Sequence, residues 1–238
     1  VNTTASYALT NEQIADFNRN YVNYQDFRNA LIKVSENQPL FLRELRGQVT
    51  AADLEAHFDG VNSVAIGYGL DLMVRSNQAI NQYLAAAGLP ALTAGDGATL
   101  GSMRTMRTQF ISTTLSDAQK SQYLDNLAAG INGSAPPVVT FPPGAGIAVK
   151  YQALMDHYLG QLTLALGDIQ DANEMLSHHI QTTIENRLSL ATMPESKERA
   201  ALVSVLYQVP GSPTLIGLAN GTSTISPSTS AASSSPAR

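Results

Sequence analysis

The side chains in this sequence best placed to do chemistry are carboxylates. Glu36 and Glu44 precede the segment Ala65-Ile66-Gly67-Tyr68-Gly69, and Asp59 and Asp71 flank it, each six residues from Ala65. Such a set offers acid–base chemistry by carboxyl groups. Other chemistries find less support. The chain has no cysteine, which excludes disulfides and thiolate metal sites. His157 and the pair His178-His179 do not fall into a His-Glu-x-x-His pattern, so no metal and no cofactor is expected. Gly67-x-Gly69 lacks the wider glycine pattern and the following lysine of a phosphate loop. Ser102 and Ser204 have no nucleophile-elbow context. Arg104 and Arg107, interleaved with Met103 and Met106, read as a solvated helix face rather than an anion site.

The elements around these carboxylates are mostly helical by pattern. Thr10-Asn11-Glu12-Gln13 fits a capping box for a helix to about Tyr21. Phe27, Leu31, Ile32 and Val34 give helical spacing from Gln25 to Asn37, and a second short helix can run from Pro39 to Arg46 and stop at Gly47. Thr50 to Asp53 can open a further short helix ending near His57. The period then changes. Asp59-Gly60 reads as a turn and Val61 to Tyr68 as a strand, with Gly67 and Gly69 loosening its end. Asp71 reads equally as the N-cap of the helix that follows. Helical pattern returns from Met73 to Ala87, from the Ser116 capping box to about Ile131, from Ile147 to Leu166, from Asp171 to Leu190, and from the Thr192 capping box through Tyr207. Leu89 to Gly101 and the proline-rich stretch 136–144 read as loops. The Ser/Thr/Ala/Pro segment 221–238 is expected to be disordered.

Composition bounds the partners. The 238 residues are 44% apolar, enough for a sizeable core, and the net charge of −5 with no basic stripe argues against nucleic acid. No apolar run approaches the roughly 20 residues of a membrane span. No segment reads as a signal peptide, and the first residue is Val, which points to a piece of a longer polypeptide or a processed form.

Two segments carry a resemblance. Asp59-Gly60-Val61-Asn62-Ser63-Val64-Ala65-Ile66-Gly67-Tyr68-Gly69 and Arg199-Ala200-Ala201-Leu202-Val203-Ser204-Val205-Leu206-Tyr207-Gln208-Val209 resemble, in that order, two motifs of the phage-type lysozyme superfamily, whose bacteriocin-like and secreted-effector members are muramidases. The segment from Leu115 to Leu127 is similar to the helix that usually follows the small lobe in that family. The resemblance implies a mainly α (α+β lysozyme-like) fold: a helical body over 1–220, a small β-containing lobe at about 40–72, and a cleft between them. It also implies cleavage of the glycan backbone of peptidoglycan, in the periplasm or cell wall of a target bacterium, by a phage lysis enzyme or a secreted antibacterial effector. An immunity or inhibitor protein is then a further possible partner.

That chemistry needs a carboxylic acid to protonate the leaving oxygen and a second carboxylate or a positioned water for the oxocarbenium-like centre. By the resemblance the acid is Glu44, 21 residues before Ala65, or Glu36, 29 residues before it; the spacing of Glu44 is closer to the bacteriocin-like branch. The assisting carboxylate is Asp59 or Asp71. Tyr68 and Gln208 are the candidate sugar contacts. Ala65 stands where the family commonly has a water-positioning threonine, and Ser63, two residues earlier on the same strand face, is the candidate substitute. Without such a hydroxyl the alternatives are a lytic transglycosylase, which releases an anhydro product, or a non-catalytic module that binds glycan or a partner protein.

Overall fold

Asn37 explains how the first described helix is shaped. Helix α1 (Tyr24–Leu45) is two helical stretches joined by a kink at Asn37, whose backbone leaves helical geometry (φ −147°, ψ 71°). The Asn37 side-chain oxygen accepts from the Leu40 N–H at 3.1 Å, capping the second stretch, and Pro39 sits in that stretch's first turn, where its missing N–H does no harm. Gly47, at φ 64°, ends it. The break and the stop both lie where the sequence places them.

The computed structural model describes residues 23–60, 62–133, 138–190, 193–209 and 212–220. The expected helix from Thr10 to Tyr21, the tail from 221, and Thr192 lie outside them. Helix accounts for 63% of the described residues, in eight α-helices, and a small three-stranded antiparallel sheet completes a mainly α fold. After α1 come a short 3-10 turn (Ala51–Leu54), strands β1 (His57–Phe58), β2 (Val64–Ile66) and β3 (Leu70–Asp71), then α2 (Asn77–Ala86), α3 (Ala94–Ile111), α4 (Asp117–Asn132), α5 (Ile147–Leu159) and α6 (Ile169–Thr183). A second 3-10 turn (Glu185–Arg187) leads to α7 (Lys197–Gln208) and α8 (Pro213–Ala219). The chain divides into two compact units, one of residues 33–179 and one of residues 1–32 with 180–238.

In the unit of residues 33–179 the strand order is β1-β2-β3, with Ala65 opposite His57 on one side and Asp71 on the other. The single strand expected over 61–68 is only Val64–Ile66. The Asp59 N–H closes the connection from β1 by donating to the Ser63 carbonyl at 3.0 Å, and the turn 67–69 delivers a third strand that pattern alone did not reveal. Asp71 is not the cap of α2. Ser76 fills that place, accepting from the Ala79 N–H, while Asp71 accepts from the Met73 N–H at 2.7 Å.

The loop expected from Leu89 to Gly101 is overturned from Thr93 onward. Thr93 caps α3, and the helix forms despite Gly95, Gly97 and Gly101 because Leu100, Met103 and Met106 are fully buried. The same burial overturns the solvated-face reading of the methionines. Arg104 donates to the Leu72 carbonyl at 3.0 Å and to Asn77 Oδ1 at 2.6 Å, and Arg107 donates to the Asn62 carbonyl at 2.8 Å, so both tie α3 to the sheet side of this unit. Helices α3, α4 and α5 pack on one another, with Phe110 stacked on Tyr151 at 4.0 Å between ring centres. The Ser116–Gln119 capping box opens α4 as the sequence indicates.

The other unit is organised by charge. Glu185, 7% exposed, accepts from Arg28 at 3.0 Å, from Arg199 Nε at 3.0 Å and from the Tyr24 hydroxyl. Burial pushes this carboxyl up, but the hydrogen bonds from Tyr24, Arg28 and Arg199 outweigh it and leave it below the usual glutamate range. Helix α7 starts at Lys197 with Ser196 as its cap, four residues later than the Thr192 box implied.

Candidate active site

Glu44 lies in the last turn of α1, where the negative end of the helix disfavours a carboxylate. Its surroundings offset that. Lys33 Nζ donates to both of its oxygens at 2.9 Å, Asn173 Nδ2 donates to Oε1 at 2.8 Å, and the Tyr68 hydroxyl donates to Oε2. In a straight helix Lys33 and Glu44 would stand about 16 Å apart along the axis. Their contact therefore requires the Asn37 kink, which turns the second stretch back on the first. Lys33 also lies 5.0 Å from the centre of the Tyr68 ring and 5.8 Å from that of Phe41, so two aromatic faces share its charge.

Tyr68 is held with little freedom. It sits between Gly67 (φ 60°) and Gly69 (φ 79°) in the turn from β2 to β3. A Cβ at 67 would come within 3.0 Å of the Ala172 Cβ, and one at 69 within 3.0 Å of Glu36 Oε2. The turn is thus wedged between α6 and Glu36, and only glycine supplies both the left-handed backbone and the clearance. Tyr68 is 2% exposed. Its buried ring and its contact with Glu44 make it a support for the carboxylate.

Glu44 opens onto a groove of about 470 Å³ lined also by Val49, Thr50, Leu54, Glu55, Leu166 and Asp168. A single antiparallel bridge, Glu55 to Ala165, separates it from a second groove of about 470 Å³ whose walls include Asp156, Leu159, Thr163 and Leu164. Asp96, at the start of α3, accepts from the Thr163 N–H at 2.7 Å and fixes the loop between the grooves and α5.

The structure brings together Glu44, Tyr68 and, through Gly69, Glu36. Glu36 lies beside the turn and lines neither groove. Asp59 is exposed at the β1–β2 connection, Asp71 is half-buried on β3, and Ser63 is half-buried ahead of β2; none of the three lines either groove. Gln208, the exposed last residue of α7, belongs to the other unit. Ala65 is 1% exposed, in the middle of the sheet. Sequence reading missed Lys33, Asn173, Glu55 and Asp168. Lys33 was detectable only by anticipating the kink, and Asn173, 129 residues from Glu44, gives no local signal. No group of histidines and carboxylates suited to a metal occurs among the described residues, and no helix among them is long and apolar enough to cross a membrane.

Comparison with protein-family models, with curated proteins and with solved structures finds no match to this chain.

Proposed function

We propose that this protein cleaves the glycan strands of peptidoglycan, with Glu44 as the catalytic acid and a lysozyme-like cleft formed by the groove beside it. The observation that carries the reading is the placement of Glu44: a helix-end glutamate, fixed by donors from three separate segments, at the rim of a groove and against the turn of a small antiparallel sheet. Fixed geometry is what proton transfer to a glycosidic oxygen needs. Lys33, Tyr68 and Asn173 all donate to Glu44 at rest. A sugar entering the groove displaces the Lys33 ammonium, Glu44 takes up a proton from solvent, and it passes that proton to the leaving oxygen. Glu36, behind Gly69, supports the turn rather than the chemistry. The buried Ala65 does not weigh against hydrolysis, because that position lies outside the groove. The setting is a bacterial wall reached by a phage lysis enzyme or a delivered antibacterial effector.

The test is release of soluble fragments from purified peptidoglycan. The parent and Glu36→Gln release fragments, and Glu44→Gln lowers the rate by about two to four orders of magnitude. Undiminished release by Glu44→Gln sinks the assignment. Mass spectrometry of the products separates reducing ends from the anhydro ends of a transglycosylase.

A second reading, a glycan-binding module without turnover, is favoured by one observation: three donors already occupy both oxygens of Glu44. It predicts that the protein sediments with sacculi and releases nothing.

A further inference from the structure

We infer that Asp168 is the second catalytic carboxylate, the base that activates water opposite Glu44, in place of Asp59 or Asp71. The inference rests on the glycosidase reading above and names a residue that reading left open.

Three observations carry it. First, Asp168 lines the same groove as Glu44, and Asp59 and Asp71 do not. Second, it is held in place. Its Oδ1 accepts from the Gln170 N–H at 2.7 Å and the Asp171 N–H at 3.2 Å at the start of α6, the hydrogen bonding of a capping carboxylate. Its Oδ2 takes no hydrogen bond among the described residues and remains open to water. Glu55, the other carboxylate of this groove and exposed like Asp168, has no such anchor. A base must be held to a fraction of an ångström to be effective, which favours the anchored group. Third, one helix serves both groups, since Asp168 stands at the start of α6. Asn173, on the same helix, donates to Glu44 at 2.8 Å. A base that acts through a water, rather than bonding to the sugar itself, gives inversion at the anomeric centre.

The step balances as follows. Water loses a proton to the Asp168 carboxylate as its oxygen bonds to the anomeric carbon. The bond from that carbon to the leaving oxygen breaks, its electron pair goes to the oxygen, and the oxygen takes the proton of Glu44. Asp168 then returns its proton to solvent, and Glu44 regains one.

The experiment compares the parent with D168N, D59N, D71N and E44Q on purified peptidoglycan and on solubilised glycan chains. Asparagine caps a helix about as well as aspartate, so D168N keeps the fold and its thermal melt matches the parent's. The expected result is a fall in kcat of about 10²–10⁴-fold for D168N with KM within a few-fold, while D59N and D71N stay near the parent. Proton NMR of early products shows inversion. Azide, a nucleophile that needs no deprotonation, restores turnover to D168A, which a residue with only a structural role would not allow. Full activity in D168N alongside an inactive E44Q overturns the inference and leaves the glycosidase reading standing, as does retention at the anomeric carbon. A parent that releases no glycan overturns both.

Discussion

At the scale of single residues, the charge on Lys33 decides how Glu44 is held. Lys33 and Glu44 keep 11% and 18% side-chain exposure, so their pairing is largely shielded from solvent. Breaking a shielded pair by removing one partner strands the other charge, at a cost near the lower end of the buried range because Glu44 keeps some contact with water. Lys33→Met is therefore expected to lower stability by about 2–3 kcal/mol. Adding Glu44→Gln to Lys33→Met is expected to recover part of that loss, since the stranded charge is gone. Chemical denaturation of the two single variants and the double variant reads the coupling; strict additivity would show the pair to be energetically idle. Glu44 itself was legible in the sequence as a helix-end glutamate before a glycine-rich segment. Its partners were not, because a kink and a distant helix supply them.

At the scale of elements, α3 shows where sequence pattern misleads and why. Gly95, Gly97 and Gly101 argue for a loop by intrinsic preference, but buried Leu100, Met103 and Met106 hold the helix together. The glycines are not equivalent. A Cβ at Gly97 would lie 2.9 Å from the Asn77 side-chain nitrogen, while one at Gly101 meets nothing within 4 Å. Asn77 cannot easily yield, since it also donates to the Gly97 carbonyl at 3.1 Å and accepts from Arg104 at 2.6 Å. Gly101→Ala is expected to raise stability by about 0.5–1 kcal/mol and Gly97→Ala to lower it. Thermal melts of the two variants give the signs, and equal shifts would refute the account. The kinked α1 was readable for a related reason: Asn37, Pro39 and Gly47 each act through local backbone chemistry. The sheet was readable only as one strand, since two of its three strands are two residues long and have no period to detect.

At the scale of the whole molecule, acid is the condition that undoes the most. His179, 8% exposed, approaches the Tyr83 hydroxyl at 3.1 Å and Arg75 at 3.3 Å. Burial, the Arg75 charge and the His178 charge push its pKa down to about 4 from 6.5. A depressed histidine stabilises the fold fully above pH 6.5, and that contribution drains away as pH falls toward 4. The shift corresponds to about 3 kcal/mol at its limit. Glu185 acts lower down: its carboxyl is depressed from 4.5, so its contribution is present above that value and is lost as pH drops further. Melting temperature is therefore expected to fall between pH 7 and 4.5 in the parent and to fall less in His179→Gln. Parallel curves would remove His179 from the explanation. Sequence reading named His179 only to discount it as a metal ligand and passed over Glu185, because a buried histidine and a surface histidine are spelled alike.

The glycines on either side of Tyr68 leave the β2–β3 turn one variable site. Positions 67 and 69 both have left-handed backbone that strains a side chain, and Ala172 crowds 67 as well, so an alteration there is best made on the tyrosine ring itself. A fluorinated tyrosine at 68 would place a spectroscopic label next to the Glu44 carboxylate while leaving the backbone around it untouched.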